Sequence, residues 1–286
     1  MPSRVCILTD STAQFPMIGF PGQELVNIIP MHLLLDGQFY PDAREIKISN
    51  LPGSARNGSD PRAIPPTPEE IGQFFTALGH KYHEIITILT SSHLAQTFNY
   101  AQQATELVRG PATVHLIDSQ TTAVGLGLLV QAAALAAVNG LTATQINRLI
   151  RGLVPRVYTV FCVQSLTYLY RSGHLDVAQA VVGEMLGVTP FFILEYGRLV
   201  PIQKIRSPRH LVDVLHEFVS EFSNLKHIAL VHGTPSYEQE SRNLRERIEI
   251  TFPKVSFSEH TMSTALAAIL GPRSLGLVAM EQRAEA

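Results

Sequence analysis

The chain has 286 residues, of which 45% are hydrophobic, with 22 Lys plus Arg set against 24 Asp plus Glu. That length and apolar share can bury a sizeable core and fit one large domain or two ordinary ones, and two are expected. A formal net charge of −2 supplies no general field to draw DNA, RNA or an anionic membrane surface, which argues against a nucleic-acid role.

In chain order, the first element is the apolar run Val5 to Leu8, which stops abruptly at Thr9-Asp10-Ser11-Thr12, a cluster of small oxygen-bearing side chains. "VCILTDST", "EIITILTSS" and "TVHLIDSQ" repeat one theme, a β-branched strand running into Asp or Ser, and helix-like segments follow the last two. This pattern predicts a parallel sheet covered by helices. Between the first two units, "NLPGSARNGSDPRAIPPTPEE" is crowded with Gly, Pro, Ser and Asn and reads as a long loop. A helix then opens with Thr67 as N-cap, Pro68 at the first helical position and Glu69-Glu70 in the first turn. The Ala- and Leu-rich stretch after Asp118-Ser119 predicts a long helix that ends at Asn139-Gly140.

After "TATQINRLIRGLVPR" the character changes. "VYTVFCV", "YGRLVPIQKI", "HIALVHG", "VSFSE" and "LGLVAM" read as strands with helices between them at irregular intervals. The expected organisation is an α/β domain over residues 1–155, an α+β domain over 156–280 and a tail over 281–286. Cys6 and Cys162 lie in apolar strand-like runs without zinc spacing, so both are expected as buried thiols in a reducing compartment. No apolar run reaches the roughly 18 residues of a membrane span and no secretory leader is evident, so a soluble, cytoplasmic protein is expected.

In a parallel α/β sheet, the carboxyl ends of the strands share one edge, and ligands bind in the crevice outside it. Asp10, Ser11 and Thr12, Ser91 and Ser92, and Asp118 and Ser119 are all expected there, where hydroxyls and helix N-termini suit a carboxylate or phosphate. One strand–Ser–helix junction alone is an ordinary N-cap; three together point to a site. Asp10 as a phosphatase nucleophile would need a second aspartate two residues on, and Thr12 stands there. The Gly-x-Ser-x-Gly elbow, Walker A and Gly-x-Gly-x-x-Gly are all missing, and "GLGLL" from Gly125 falls inside the long helix. The eleven histidines form no metal-ligand pattern, so neither metal nor cofactor is expected.

The order of segments resembles the bacterial DegV family over nearly the whole chain. "ILTDSTAQFP" is similar to the family's opening strand and loop, "IIPMHLLLDGQFYPD" to its second strand and following turn, and "LTSSHLAQTFNYA" to its serine loop and helix. "LIDSQTTAVGLGLLVQAAALAAVNG" is the most specific block, and "GRLVPIQKIRS" and "ILGPRSLGLV" complete the order. The resemblance implies a Rossmann-like α/β domain and an α+β domain with a long-chain fatty acid in an apolar tunnel between them. It also implies a role as the fatty-acid-binding subunit of fatty acid kinase, presenting the carboxyl group to a separate ATP-using subunit that feeds phospholipid synthesis.

By the same resemblance, the serine that holds the ligand carboxylate matches Ser92, with Ser91 beside it. A family threonine falls on Ala63, with Thr67 four residues on; an arginine falls on His174, with Arg171 three residues earlier; a histidine falls on Ile269, and a glycine near it on Arg273. Ser11 and Thr12 complete the candidate set. Each hydrogen bond lost to a charged head would weaken binding by about 1.5 to 3 kcal/mol. Protonated, His174 would hold a carboxylate, more weakly as pH rises. Two other readings stand beside fatty-acid carriage: a phosphatase or esterase using Asp10 or Ser92, and a lipid sensor that kept the fold without the carrier role.

Overall fold

In a computed structural model, which describes residues 5–53, 61–107, 112–235 and 237–282, the chain folds into two sheet-based domains. The first contains β1 (Val5–Asp10) and β2 (Val26–Ile29), then a small hairpin of β3 (His32–Leu35) and β4 (Gln38–Tyr40), then β5 (Arg62–Ile64). Next come α1 (Pro68–Gly79), β6 (Glu84–Leu89), α2 (Thr97–Leu107), β7 (Thr113–Asp118), α3 (Ala123–Val138) and α4 (Ala143–Leu153). The parallel sheet has the order β2-β1-β6-β7. Chain order reverses between β1 and β6, so their carboxyl ends flank the crevice where such sheets hold ligands.

The sequence of β1 shows why it is central. Val5 and Ile7 pack towards α3 and α4, Cys6 and Leu8 towards α1 and α2, so an unbroken apolar run is what a two-sided strand requires. Thr67 caps α1 as expected: its Oγ1 accepts from the Glu70 N–H while the Glu70 carboxylate accepts from the Thr67 N–H. Burial pushes both cysteine thiols up to about 12.

The second domain comprises β8 (Val157–Cys162), α5 (Leu166–Arg171), α6 (Val177–Met185), β9 (Thr189–Glu195), β10 (Arg198–Ile205), α7 (Pro208–Ser220) and β11 (Leu225–His232). It ends with α8 (Glu238–Thr251), β12 (Ser256–Thr261), α9 (Thr264–Leu270) and β13 (Leu275–Glu281). Its mixed sheet has the order β10-β9-β8-β13-β11-β12, and only β11 and β12 pair in parallel. Helices α7 and α8 cover one face, and α5, α6 and α9 lie in the apolar cluster on the other.

The long helix α3 is apolar on all sides because it is sandwiched: it touches β1 and β6 of the first sheet and β8, β11 and β13 of the second. Its glycines mark the tightest approaches. A Cβ on Gly127 would run into the Gln14 backbone carbonyl, and one on Gly125 into the Thr121 side chain. Gly127 thus lets the loop after β1 pack directly on α3, and Gly125 lets Val157 of the second domain approach the helix.

The structure corrects the sequence reading in three places. The second-strand segment forms three short strands, since Asp36 (φ 53°) and Gly37 (φ 78°) turn the chain sharply between β3 and β4. The expected long loop contains β5, whose pairing with β3 aligns His32 with Ile64 and Leu33 with Ala63; residues 54–60 of that loop lie outside the described residues. Glu281 belongs to β13, and the Gln282 N–H donates to the Asn224 carbonyl at 2.9 Å, so ordered structure enters the stretch read as tail, whose residues 283–286 are outside the description.

Candidate functional site

The three expected strand-end clusters do meet at one edge, but they differ in what they face. Asp10 is fully buried, and its carboxylate accepts from the Thr12 N–H (3.0 Å), the Thr12 hydroxyl (2.6 Å) and the Thr90 N–H (2.7 Å). Burial raises its pKa, and the Thr12 and Thr90 hydrogen bonds oppose that shift. The Ser11 hydroxyl accepts from the Met31 N–H at 2.8 Å. Asp10, Ser11 and Thr12 therefore tie the ends of β1 and β6 and the start of the β3 segment together. A nucleophile needs an oxygen that a substrate can reach; Asp10 has none, so the hydrolase reading loses its first candidate.

The second cluster spans both domains. The Ser91 hydroxyl donates to the Gly197 carbonyl (2.8 Å) in the β9–β10 turn, and Thr121 and Thr159 hydroxyls meet at 2.8 Å beside it. Gly197 (φ 82°) is packed so closely on Ser91 and Gln120 that a Cβ there would collide with the Ser91 hydroxyl. Farther along the junction, the Thr264 hydroxyl donates to the Ile46 carbonyl and the Tyr168 hydroxyl to the Pro52 carbonyl, each at 2.6 Å. Next to Ser91, the Ser92 hydroxyl donates to Asp118 Oδ2 at 2.5 Å, while Asp118 Oδ1 accepts from the N–H groups of Ser92 (3.3 Å) and Gln120 (3.0 Å).

Beside this loop lies a pocket of about 210 Å³. Its wall comes from four segments: Ala63 on β5, His93 to Gln96 after β6, Ser172 to His174 after α5, and Ile269 on α9. The three positions that the resemblance marks as altered, Ala63, His174 and Ile269, are therefore brought to one chamber from both domains. Ser92 adjoins it through His93. Arg171 and Thr67 are not among the residues that line it; Thr67 is occupied in the α1 cap.

His174 sits in this wall with its Nε2 buried and without a hydrogen-bond partner among the described residues. Burial holds its pKa below the usual histidine range, against a smaller opposing effect from a hydrogen bond to the Leu94 backbone. Burial thus favours the uncharged form of the ring. The pocket runs into a buried apolar cluster through Leu94 and Ile269, which belong to both; Met31, Leu33, Phe161, Leu169 and Phe192 continue it between the sheets.

Sequence reasoning missed the Asp118 carboxylate as the partner of Ser92, although the regular spacing of strand-end Asp and Ser was the available signal. It also missed Ser172, whose hydroxyl donates to the Ile269 carbonyl at 3.3 Å and pins the α5 turn to the end of α9. Among the described residues, no group of three or more His, Cys, Asp or Glu is arranged to hold a metal, and no helix is long and apolar enough to cross a membrane.

Comparison with known proteins places these features in a wider group. Residues 4–282 match the model of a family described as "Uncharacterised protein, DegV family". A DegV domain-containing protein of Caldanaerobacter subterraneus subsp. tengcongensis is 27% identical over 259 residues, 87% of this chain and 90% of its own. In structure, the chain is similar to a fatty acid binding DegV family protein from Streptococcus agalactiae (TM-score 0.84, 18% identity, 98% of this chain and 99% of that one). It is also similar to the Streptococcus pneumoniae fatty acid kinase B3 protein loaded with linoleic acid (TM-score 0.82, 19% identity, 97% and 99%).

Proposed function

The chain belongs to the DegV family, and from that premise we propose that it binds a long-chain fatty acid or a related acyl lipid between its two domains, without turning it over. The observation that carries this reading is the pocket built from β5, the loop after β6, the turn after α5 and α9, with an apolar cluster behind it. The head group lies in the pocket and the tail enters between Leu94, Ile269 and the residues behind them. Each buried methylene contributes about 0.8 kcal/mol, so a long tail dominates the affinity. At about 210 Å³ the chamber is smaller than the roughly 300–1,000 Å³ of common ligand pockets, so the tail must part side chains of that cluster as it enters. The reading places the protein in the cytoplasm.

A second reading is favoured by the likeness to the pneumococcal kinase protein: carriage of the acyl group to a separate ATP-dependent fatty acid kinase subunit, which requires a carboxylate head. Delipidated protein melted with and without C14 to C18 acyl lipids tests the first reading, and a rise in Tm that saturates at one lipid per chain is expected. An unchanged Tm with every lipid defeats it. Acyl phosphate formed from ATP, a bound fatty acid and the kinase subunit would establish the second.

A further inference from the structure

The positions that the resemblance assigns to the head group offer it few donors in this chain. Ser92 gives its hydroxyl proton to Asp118 Oδ2 (2.5 Å) and is not among the residues that line the pocket. Ala63 has no hydroxyl, and His174 engages the Leu94 backbone and keeps its Nε2 buried. Two other side chains in the same wall, His93 and Gln96, carry donors that the protein leaves free.

Both stand on the loop between β6 and α2, three residues apart, and both are exposed. The ring of His93 has no hydrogen-bond partner among the described residues, and in either tautomer a neutral imidazole keeps one N–H to donate. Gln96 Oε1 accepts from Asn99 Nδ2 at 2.7 Å, which fixes the orientation of the amide and leaves the N–H bonds of Nε2 as donors. The loop that carries them is itself held. Ser91 Oγ accepts from the His93 N–H at 3.2 Å while donating to the Gly197 carbonyl, and the Ser91 carbonyl accepts from the N–H groups of Leu94 and Ala95. Leu94, between the two donors in sequence, belongs both to the pocket wall and to the apolar cluster behind it, so the donors stand where the path of the tail begins.

A carboxylate brings two oxygens that only accept, and two donors on a fixed loop suit it. The like charge of Asp118, bonded to Ser92, is already met by three donors: the Ser92 hydroxyl and the N–H groups of Ser92 and Gln120. We propose that His93 and Gln96 hold the head group and that the lipid is a free fatty acid, its carboxylate taking one hydrogen bond from the His93 ring and one from the Gln96 amide. This rests on the acyl-lipid reading above and names its head group and the side chains that bind it.

The test is equilibrium titration of the delipidated full chain at pH 7.5 with radiolabelled tetradecanoate and, separately, tetradecan-1-ol, with folding of each variant checked by its melting curve. His93→Ala and Gln96→Ala are each expected to weaken binding of the acid about tenfold, and binding of the alcohol by a smaller factor, because its head carries no charge. Gln96→Glu, which keeps the shape of the side chain and brings a like charge, is expected to weaken the acid further still while changing the alcohol less. Unchanged affinity for the acid in the folded double variant of His93→Ala and Gln96→Ala overturns the inference and leaves the acyl-lipid reading intact. Equal losses for acid and alcohol in every variant overturn it too, since the two side chains then only shape the mouth, and so does a wild type that takes the alcohol and refuses the acid. Binding of neither lipid by the wild type overturns both readings.

Discussion

At the scale of single residues, the most informative feature is the direction in which each hydroxyl and carboxylate points. Asp10 satisfies three donors inside the protein, so Asp10→Ala orphans them and should lower stability by about 1–3 kcal/mol, measured by urea unfolding. Trace hydrolysis of phosphate or acyl esters by the preparation should be the same before and after that change; its loss with Asp10 would restore the enzyme reading. The strand-end clusters were legible because a β-branched run followed by Asp or Ser is a sequence property. Whether Ser11 and Thr12 face a ligand or the protein is not: an inward and an outward hydroxyl read identically. Likewise, that Ala63, His174 and Ile269 share a chamber followed from the family resemblance, since they come from three distant segments and no spacing links them.

At the scale of elements, α3 shows how packing decides what sequence pattern leaves open. Its all-round apolar surface fits a helix with sheets on both sides, and Gly127 is where the Gln14 loop backbone packs against it. Gly127→Ala should cost about 1–3 kcal/mol despite the better helix propensity of Ala, read as a lower urea midpoint at unchanged slope. The β3–β4–β5 sheet was illegible for a related reason: its three-residue edge strands exist through pairing with β3, a tertiary contact that short runs do not announce.

The β11–β12 pair makes an acid-sensitive element. Nε2 of His227 and Nε2 of His260 both bond the Ser258 hydroxyl, at 2.8 and 2.9 Å. Burial, then the charges of His260 and Lys226, brings the His227 pKa down to about 4; burial and His232 lower that of His260, against Glu259. Both histidines are raised back to about 6.5 on unfolding. For His227, between that value and about 4 the unfolded chain binds more protons, so the stability it contributes is complete above pH 6.5 and is lost as pH falls through the window. Tm should drop over that range, and His227→Gln should flatten the drop; an equal drop in the variant would remove His227 from the explanation.

For the whole molecule, the account places an acyl chain at the junction of two domains stitched together by Ser91 to Gly197, Thr121 to Thr159, Tyr168 to Pro52 and Thr264 to Ile46. A ligand that touches both sides couples binding to the stability of the whole: at a hundred times its Kd it should add about 2.7 kcal/mol. Ser91→Ala, which leaves the Gly197 carbonyl without its donor, should cost roughly 1 kcal/mol and weaken lipid binding in the same protein, as measured by melting with and without lipid. The two-domain arrangement was readable from the chain length and from the loss of the regular strand–helix pattern in the second half of the sequence. The size of the chamber was not, because cavity volume depends on how four separated segments close on one another.

The most direct measurement is native mass spectrometry of the purified full chain, followed by extraction and identification of whatever is released. One added mass per chain, matching a long-chain acyl lipid, is the predicted result. A protein that runs at its bare mass as purified, and still does so after incubation with fatty acids and fatty alcohols alike, would contradict the acyl-binding account and leave only the fold.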